Sequence, residues 1–162
     1  MNSSVLAILA VAGFFAILTL LAVAVFYVLS SVSHMKALKA LGYDKPWLAW
    51  VPGGNLYAVA DAALNGDESI MFFGSFVVPA AVFRFWWAIA LVLMFVPIIG
   101  NLCCFALFII CLGTCYTRLY ARLEYKSEQD TMVIGFLSGL FPIIAVCKFL
   151  VGNYQCVNYS AE

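Results

Sequence analysis

The chain has 162 residues, 66% hydrophobic and 10% charged, with eight basic and eight acidic side chains that cancel. An ordinary soluble domain is about 45–50% apolar and about 25% charged, so that class is excluded, as is a disordered chain, which is sustained by low hydrophobicity and high net charge. The balanced charge gives no basic surface for phosphates, which argues against nucleic acid as a partner. These proportions predict an all-α, polytopic integral membrane bundle, one domain over residues 1–162, whose first partner is the lipid bilayer.

Residues 5–29 contain no charged side chain. Roughly 20 apolar residues suffice to cross a bilayer as a helix, so a first span is expected over about 5–30. The four residues before it carry no basic group, and the apolar run exceeds a signal-peptide core, so this segment is expected to stay attached. His34, Lys36, Lys39, Asp44 and Lys45 then cluster in residues 31–45, with Gly42 where helices commonly end. A short interfacial helix and a turn into Pro46 are expected there.

The next apolar stretch, 47–64, is interrupted by Pro52, Gly53, Gly54, Asn55 and Asp61. It is expected to cross as a broken helix or to dip in and return. A polar turn over 65–69 follows, and then residues 70–117 stay apolar except for Arg84 and a few small polar groups. That is too long for one ordinary span, and Pro79, Arg84, Pro97 and Gly100-Asn101 are the break points. An embedded or interfacial helix over 70–83 and a long kinked helix over 85–117 are expected, the alternative being two crossings that turn at 97–101. Arg118, Arg122 and Lys126 recur every four residues and form one basic stripe on a helix. A last span over 131–151 is interrupted by Pro142 and Lys148, giving about four spans plus half or interfacial helices.

Six of the eight basic residues lie in connectors 31–46 and 118–130, and basic connectors are retained on the cytoplasmic side of the cell membrane. Both termini are therefore expected outside.

Asp61, Arg84 and Lys148 are the charges left in or near apolar segments. An ionisable group at the bilayer centre costs about 2.5–3.5 kcal/mol on insertion scales. Counting along their spans puts Asp61 and Lys148 both near the outer ends, which predicts an Asp61–Lys148 ion pair with Arg84 close by, lining a polar pocket. The plainer reading is that Arg84 and Lys148 snorkel to the interface and Asp61 ends a helix.

The six cysteines stand at 103, 104, 111, 115, 147 and 156. Cys111 and Cys115 share a helix face, but a metal site needs three or four ligands and His34 is the sole histidine, so no metal or cofactor is expected and the cysteines read as small hydrophobes. Cys147 and Cys156 are both expected toward the oxidising outer side. No nucleophile elbow, zinc-protease motif, phosphate loop or dinucleotide fingerprint occurs; Ser138 and Lys148 are ten residues apart and rotate away from one another, so no enzyme chemistry is expected. Gly135 and Gly139 form a Gly-x-x-x-Gly pattern that permits close helix approach, within the chain or between copies. Trp47, Trp50, Trp86, Trp87, Tyr116, Tyr120 and Tyr125 fall near expected span ends and read as interfacial anchors. Pro52, Pro97 and Pro142 are spaced by 45 residues, with Asn55 and Asn101 after the first two; broken helices at corresponding positions can mark transporter sites.

The segment from Met35 to Tyr57, with Gly42 and Trp47-Leu-Ala49-Trp-Val-Pro52-Gly-Gly-Asn55-Leu-Tyr57, resembles an uncharacterised family of small multi-span bacterial membrane proteins with a Trp-x-Ala-x-x-Pro-x-x-Asn-x-Tyr motif. Pro97-Ile-Ile-Gly-Asn101 resembles that family's later Ile-Pro-x-x-Asn helix with one extra residue, and Phe141-Pro142-Ile-Ile its last span. The similarity covers about residues 20 to 152, and the stretch from Asn65 to Phe85 departs from the pattern. The resemblance implies a bacterial cytoplasmic membrane and about four helices, and no established activity. The expected role is non-enzymatic: a scaffold or accessory subunit packing against itself or a larger membrane partner. The alternative is a small solute or ion transporter or channel lined by Asp61, Arg84, Lys148, Asn55 and Asn101.

Overall fold

In a computed structural model, residues 3–72 and 75–154 are described. Seven α-helices, one short 3-10 helix and a two-stranded hairpin make up these residues, so the fold is all-α with one small β addition. Helix α1, Ser3–Ala40, runs unbroken for 38 residues, about 57 Å at ~1.5 Å per residue. No glycine or proline lies between Gly13 and Gly42 to interrupt its hydrogen-bond ladder. The expected boundary between a span and an interfacial helix near residue 30 is therefore absent. The helix stops where expected. Gly42 takes a left-handed φ of 71°, and its N–H and that of Tyr43 donate back to the carbonyls of Lys39 and Leu38, each at 3.0 Å. That paired closure satisfies two end carbonyls.

The two halves of α1 differ in their surroundings. Every residue from 8 to 29 is exposed, whereas Ala37, Leu38, Ala40 and Leu41 are buried in the core with Tyr120, Phe83 and Phe149.

Three expectations about spans are corrected, and of the two forms expected for segment 47–64 the element lengths fit the one that breaks and returns. Segment 47–64 is a 3-10 helix, Pro46–Trp50, and a helix α2, Gly54–Leu64, of 11 residues. At about 16 Å, α2 falls well short of a hydrocarbon core of about 30 Å. Segment 70–83 is not a helix: strands β1, Ser69–Phe72, and β2, Phe76–Pro79, pair antiparallel with Ile70 opposite Val78, and only Ala80–Arg84 is helical (α3). Alternating burial along β1, with Ile70 and Phe72 inward, is the period-2 pattern of a strand.

The long kinked helix over 85–117 is two helices folded back on each other, α4, Trp86–Leu93, and α5, Ile99–Glu124. Trp86 meets Phe108 edge to face at 4.9 Å between ring centroids. The turn between them needs Gly100, whose Cβ would lie 2.0 Å from the Leu93 carbonyl oxygen. The turn falls where the two-crossing alternative places it, yet α4 has only eight residues.

The last expected span is likewise split at Phe141-Pro142, into α6, Glu128–Leu140, and α7, Pro142–Val151. Proline at the first position of α7 lacks the N–H that would continue α6. Helices α5 and α6 form a close hairpin begun by the Ser127 cap, whose Oγ accepts from the Asp130 N–H at 3.2 Å. A Cβ on Gly135 would lie 2.6 Å from the Thr117 nitrogen, and one on Gly139 would lie 2.7 Å from the Gly113 nitrogen. The Gly-x-x-x-Gly pattern thus packs helices within the chain. By length and composition two helical segments among the described residues, Ile8–Ala40 and Ile99–Glu124, are long and apolar enough to cross a membrane, against four expected.

Candidate functional site

Among the described residues, the ion-paired side chains gather where α2, α3, α5, α6 and α7 meet. Asp61, on α2, accepts from Arg84 Nε at 2.6 Å and from the Tyr43 hydroxyl at 2.9 Å. Helix α3 supplies the arginine and the turn after Gly42 supplies the tyrosine, so three chain segments converge on one carboxylate. Both ion-pair partners are partly exposed, with side-chain accessibilities of 33% for Arg84 and 24% for Asp61, and the pair is worth at most about 1 kcal/mol. Burial and the adjoining Asp61 carboxylate push the Tyr43 phenol pKa well above its ordinary value, which keeps it a donor.

Asp61 lines a cavity of about 360 Å³ with Tyr43, Asp44, Asn65 and Arg122. Arg122 Nη1 donates to the Ala62 carbonyl at 2.6 Å, and Arg118 Nη1 to the Ala63 carbonyl at 3.4 Å and to Asp67 at 3.0 Å. Arg118 and Arg122 of the basic stripe therefore cap the C-terminus of α2, where carbonyls without intrahelical partners favour a cation, while Lys126 pairs with Glu124. Arg118 also meets Glu128 at 3.3 Å.

The expected Asp61–Lys148 pair is not formed. Lys148 instead pairs with Glu124 and lies over the Tyr120 ring, 4.8 Å from its centroid. Counting residues along straight spans misplaces both ends, because segments 47–64 and 131–151 each break and return. Asp67 accordingly touches the 118–130 connector instead of lying across a bilayer from it. Lys36 Nζ donates to the carbonyls of Leu150 and Gly152, both at 2.7 Å, so the end of α7 lies beside the first basic connector. The expected outside C-terminus itself lies outside the described residues. Of the five expected polar residues, only Asp61 and Arg84 meet. Asn101 is exposed on the first turn of α5. Asn55 opens α2, and its buried Oδ1 has no hydrogen-bond partner among the described residues.

A second polar cluster was not anticipated. His34, expected on an interfacial connector, is buried at 3% exposure. Its Nδ1 lies 2.7 Å from the Ser30 carbonyl and its Nε2 3.0 Å from the Tyr116 hydroxyl. Only an N–H can serve the carbonyl, so Nδ1 carries the proton and Nε2 accepts from tyrosine. Phe149 packs on His34, Tyr116 and Tyr120. Tyr116, Tyr120 and Trp86 are therefore core residues and not the expected anchors, while Trp47, Trp50 and Tyr125 are exposed. The helical spacing of Ser30, Ser33 and His34 was the available sign of an inward polar face.

Ser138 donates to the Ile134 carbonyl at 2.7 Å and lies 2.8 Å from the Tyr120 hydroxyl. Cys111 and Cys115 are buried free thiols, and among the described residues no three His, Cys, Asp or Glu side chains are placed to hold a metal ion. The expectation for Cys156 lies outside the described residues. The chain matches no protein-family model, no curated protein and no solved structure.

Proposed function

We propose that the protein is a non-enzymatic integral membrane protein of the bacterial cytoplasmic membrane, serving as a scaffold or accessory subunit. One observation carries this reading: residues 8–29 form a continuous helix, uncharged and exposed on every side. Such a helix is stable in hydrocarbon and has no counterpart on soluble monomers, whose exposed apolar patches are limited to a few hundred Å². The N-terminus lies outside, and the basic end with Lys36, Arg118 and Lys126 lies at the cytoplasmic face. The α4–α5 and α6–α7 hairpins enter from that face and return.

The transporter alternative draws no support from the polar residues, because Lys148 and Asn101 stand apart from Asp61 and its arginine. Two assays test the reading. The protein floats with phospholipid vesicles and resists carbonate extraction, and loaded proteoliposomes stay inert while a membrane partner co-purifies. Extraction by carbonate defeats the membrane assignment; flux abolished by Asp61→Asn defeats the scaffold role.

A further inference from the structure

Between the hairpin, α3, α4 and α5 lies a groove of about 440 Å³ whose walls are apolar throughout, among them Phe72, Phe76, Val82, Trp86, Ile110 and Cys111. Its size falls in the range of small-ligand sites, about 300–1,000 Å³. Water gains nothing from walls that offer no hydrogen bond. Phe76 and Val82 on the lip are 67% and 46% exposed, so the groove opens outward.

The other end is different. Phe72 also lines a neighbouring cavity of about 200 Å³ in which Thr114, Thr117, Glu128 and Gln129 stand among Met71, Met132 and Phe136. Along α5 the lining thus changes from Ile110 and Cys111 to Thr114 and Thr117 over about 10 Å. At the polar end Glu128 stands beside Arg118, so both signs of charge are present. An apolar slot beside a cavity that is edged by hydroxyls, an amide and the Arg118–Glu128 ion pair complements a molecule with a hydrocarbon chain and a zwitterionic head.

We infer that the groove holds one acyl chain of a membrane phospholipid, with its headgroup at the Thr114–Gln129 cavity. The inference rests on the reading that the chain resides in a bilayer, since that is what supplies the lipid. It adds a bound lipid at a defined position, distinct from the surrounding solvent lipid.

The test uses the full chain in detergent micelles, with Trp47, Trp50 and Trp87 replaced by Phe so that Trp86 is the sole indole. Phosphatidylcholine brominated on one acyl chain is titrated in. The expected result is a saturable loss of Trp86 emission at one lipid per chain, reversed by unbrominated phospholipid. Filling the groove with Val78→Phe, or Ile89→Phe should the first variant lose its helical signal, abolishes the loss.

Four outcomes overturn the inference: no loss, a loss proportional to brominated lipid that the filled variants retain, a saturable loss given only by brominated free fatty acid, or emission that tracks protein concentration, which means a second copy occupies the groove. Vesicle flotation on the same preparation reports separately on membrane residence.

Discussion

The outer and inner halves of α1 belong to one helix and obey different rules. Residues 8–26 are exposed on every face, and a Cβ on Gly13 would meet no atom within 4 Å. Around residues 30–41 the same helix is specified side chain by side chain, through His34, Leu38 and the closure at Gly42. The contrast separates two demands on a sequence. An outer half needs only absence of charge, whereas an inner half needs shape and satisfied polar groups.

Exchanging the two kinds of site is the sharpest way to break that comparison. Gly135→Leu drives a side chain into the Thr117 backbone and is expected to destabilise the fold by about 3 kcal/mol or more, lowering the thermal midpoint in detergent, while Gly13→Leu leaves it unchanged. Equal effects at the two positions would dissolve the distinction.

A charge makes the opposite probe. Leu20→Arg is expected to cost about 2.5–3.5 kcal/mol in membrane insertion, read as reduced membrane-inserted protein, with the melting of the bundle unaltered. Tyr116→Phe removes the donor to His34 Nε2 and leaves a buried acceptor unpaired, costing about 1–3 kcal/mol. Chemical denaturation measures it, and the loss is confined to the inner half.

The smallest effect belongs to the partly exposed ion pair. Asp61→Asn and Arg84→Gln in a double-mutant cycle are expected to couple by at most about 1 kcal/mol, whereas Asp61 and Lys148 show no coupling. The Tyr43 phenol sharpens this further. Its folded pKa lies above the unfolded value of about 10. Its contribution is therefore complete below that pH and is lost as pH rises beyond it. Stability measured against Tyr43→Phe across pH 9–11 should fall more steeply in the parent.

What was legible in the sequence follows the same division. The uncharged run 5–29 announces itself because composition alone specifies its environment, and Gly42 announces the stop because only a left-handed residue closes the helix there. The hairpin over 69–79 escaped because a short apolar run has no period that separates strand from buried helix; Ile70 and Phe72 alternate over just four positions. The partners of Asp61 and Lys148 escaped for another reason. Distance along the chain stands in for depth only in straight spans, and the breaks at Gly53-Gly54 and Phe141-Pro142 return each segment toward its start. Tyr116 and Tyr120 read as anchors because an amphipathic ring suits an interface and a core equally well; the burial that decides between them is supplied by α7, distant in sequence.

The unbroken backbone of α1 makes it a mechanical element as well as a packing one. Tyr27 ties its mid-portion to the carbonyl of Trp50, and no hinge residue separates that tie from the histidine one turn beyond Ser30. A twist or tilt imposed on the outer half by a neighbouring protein or by a change in bilayer thickness is delivered, lever-like, to the imidazole, the Tyr116 hydroxyl and the end of α7 held by Lys36.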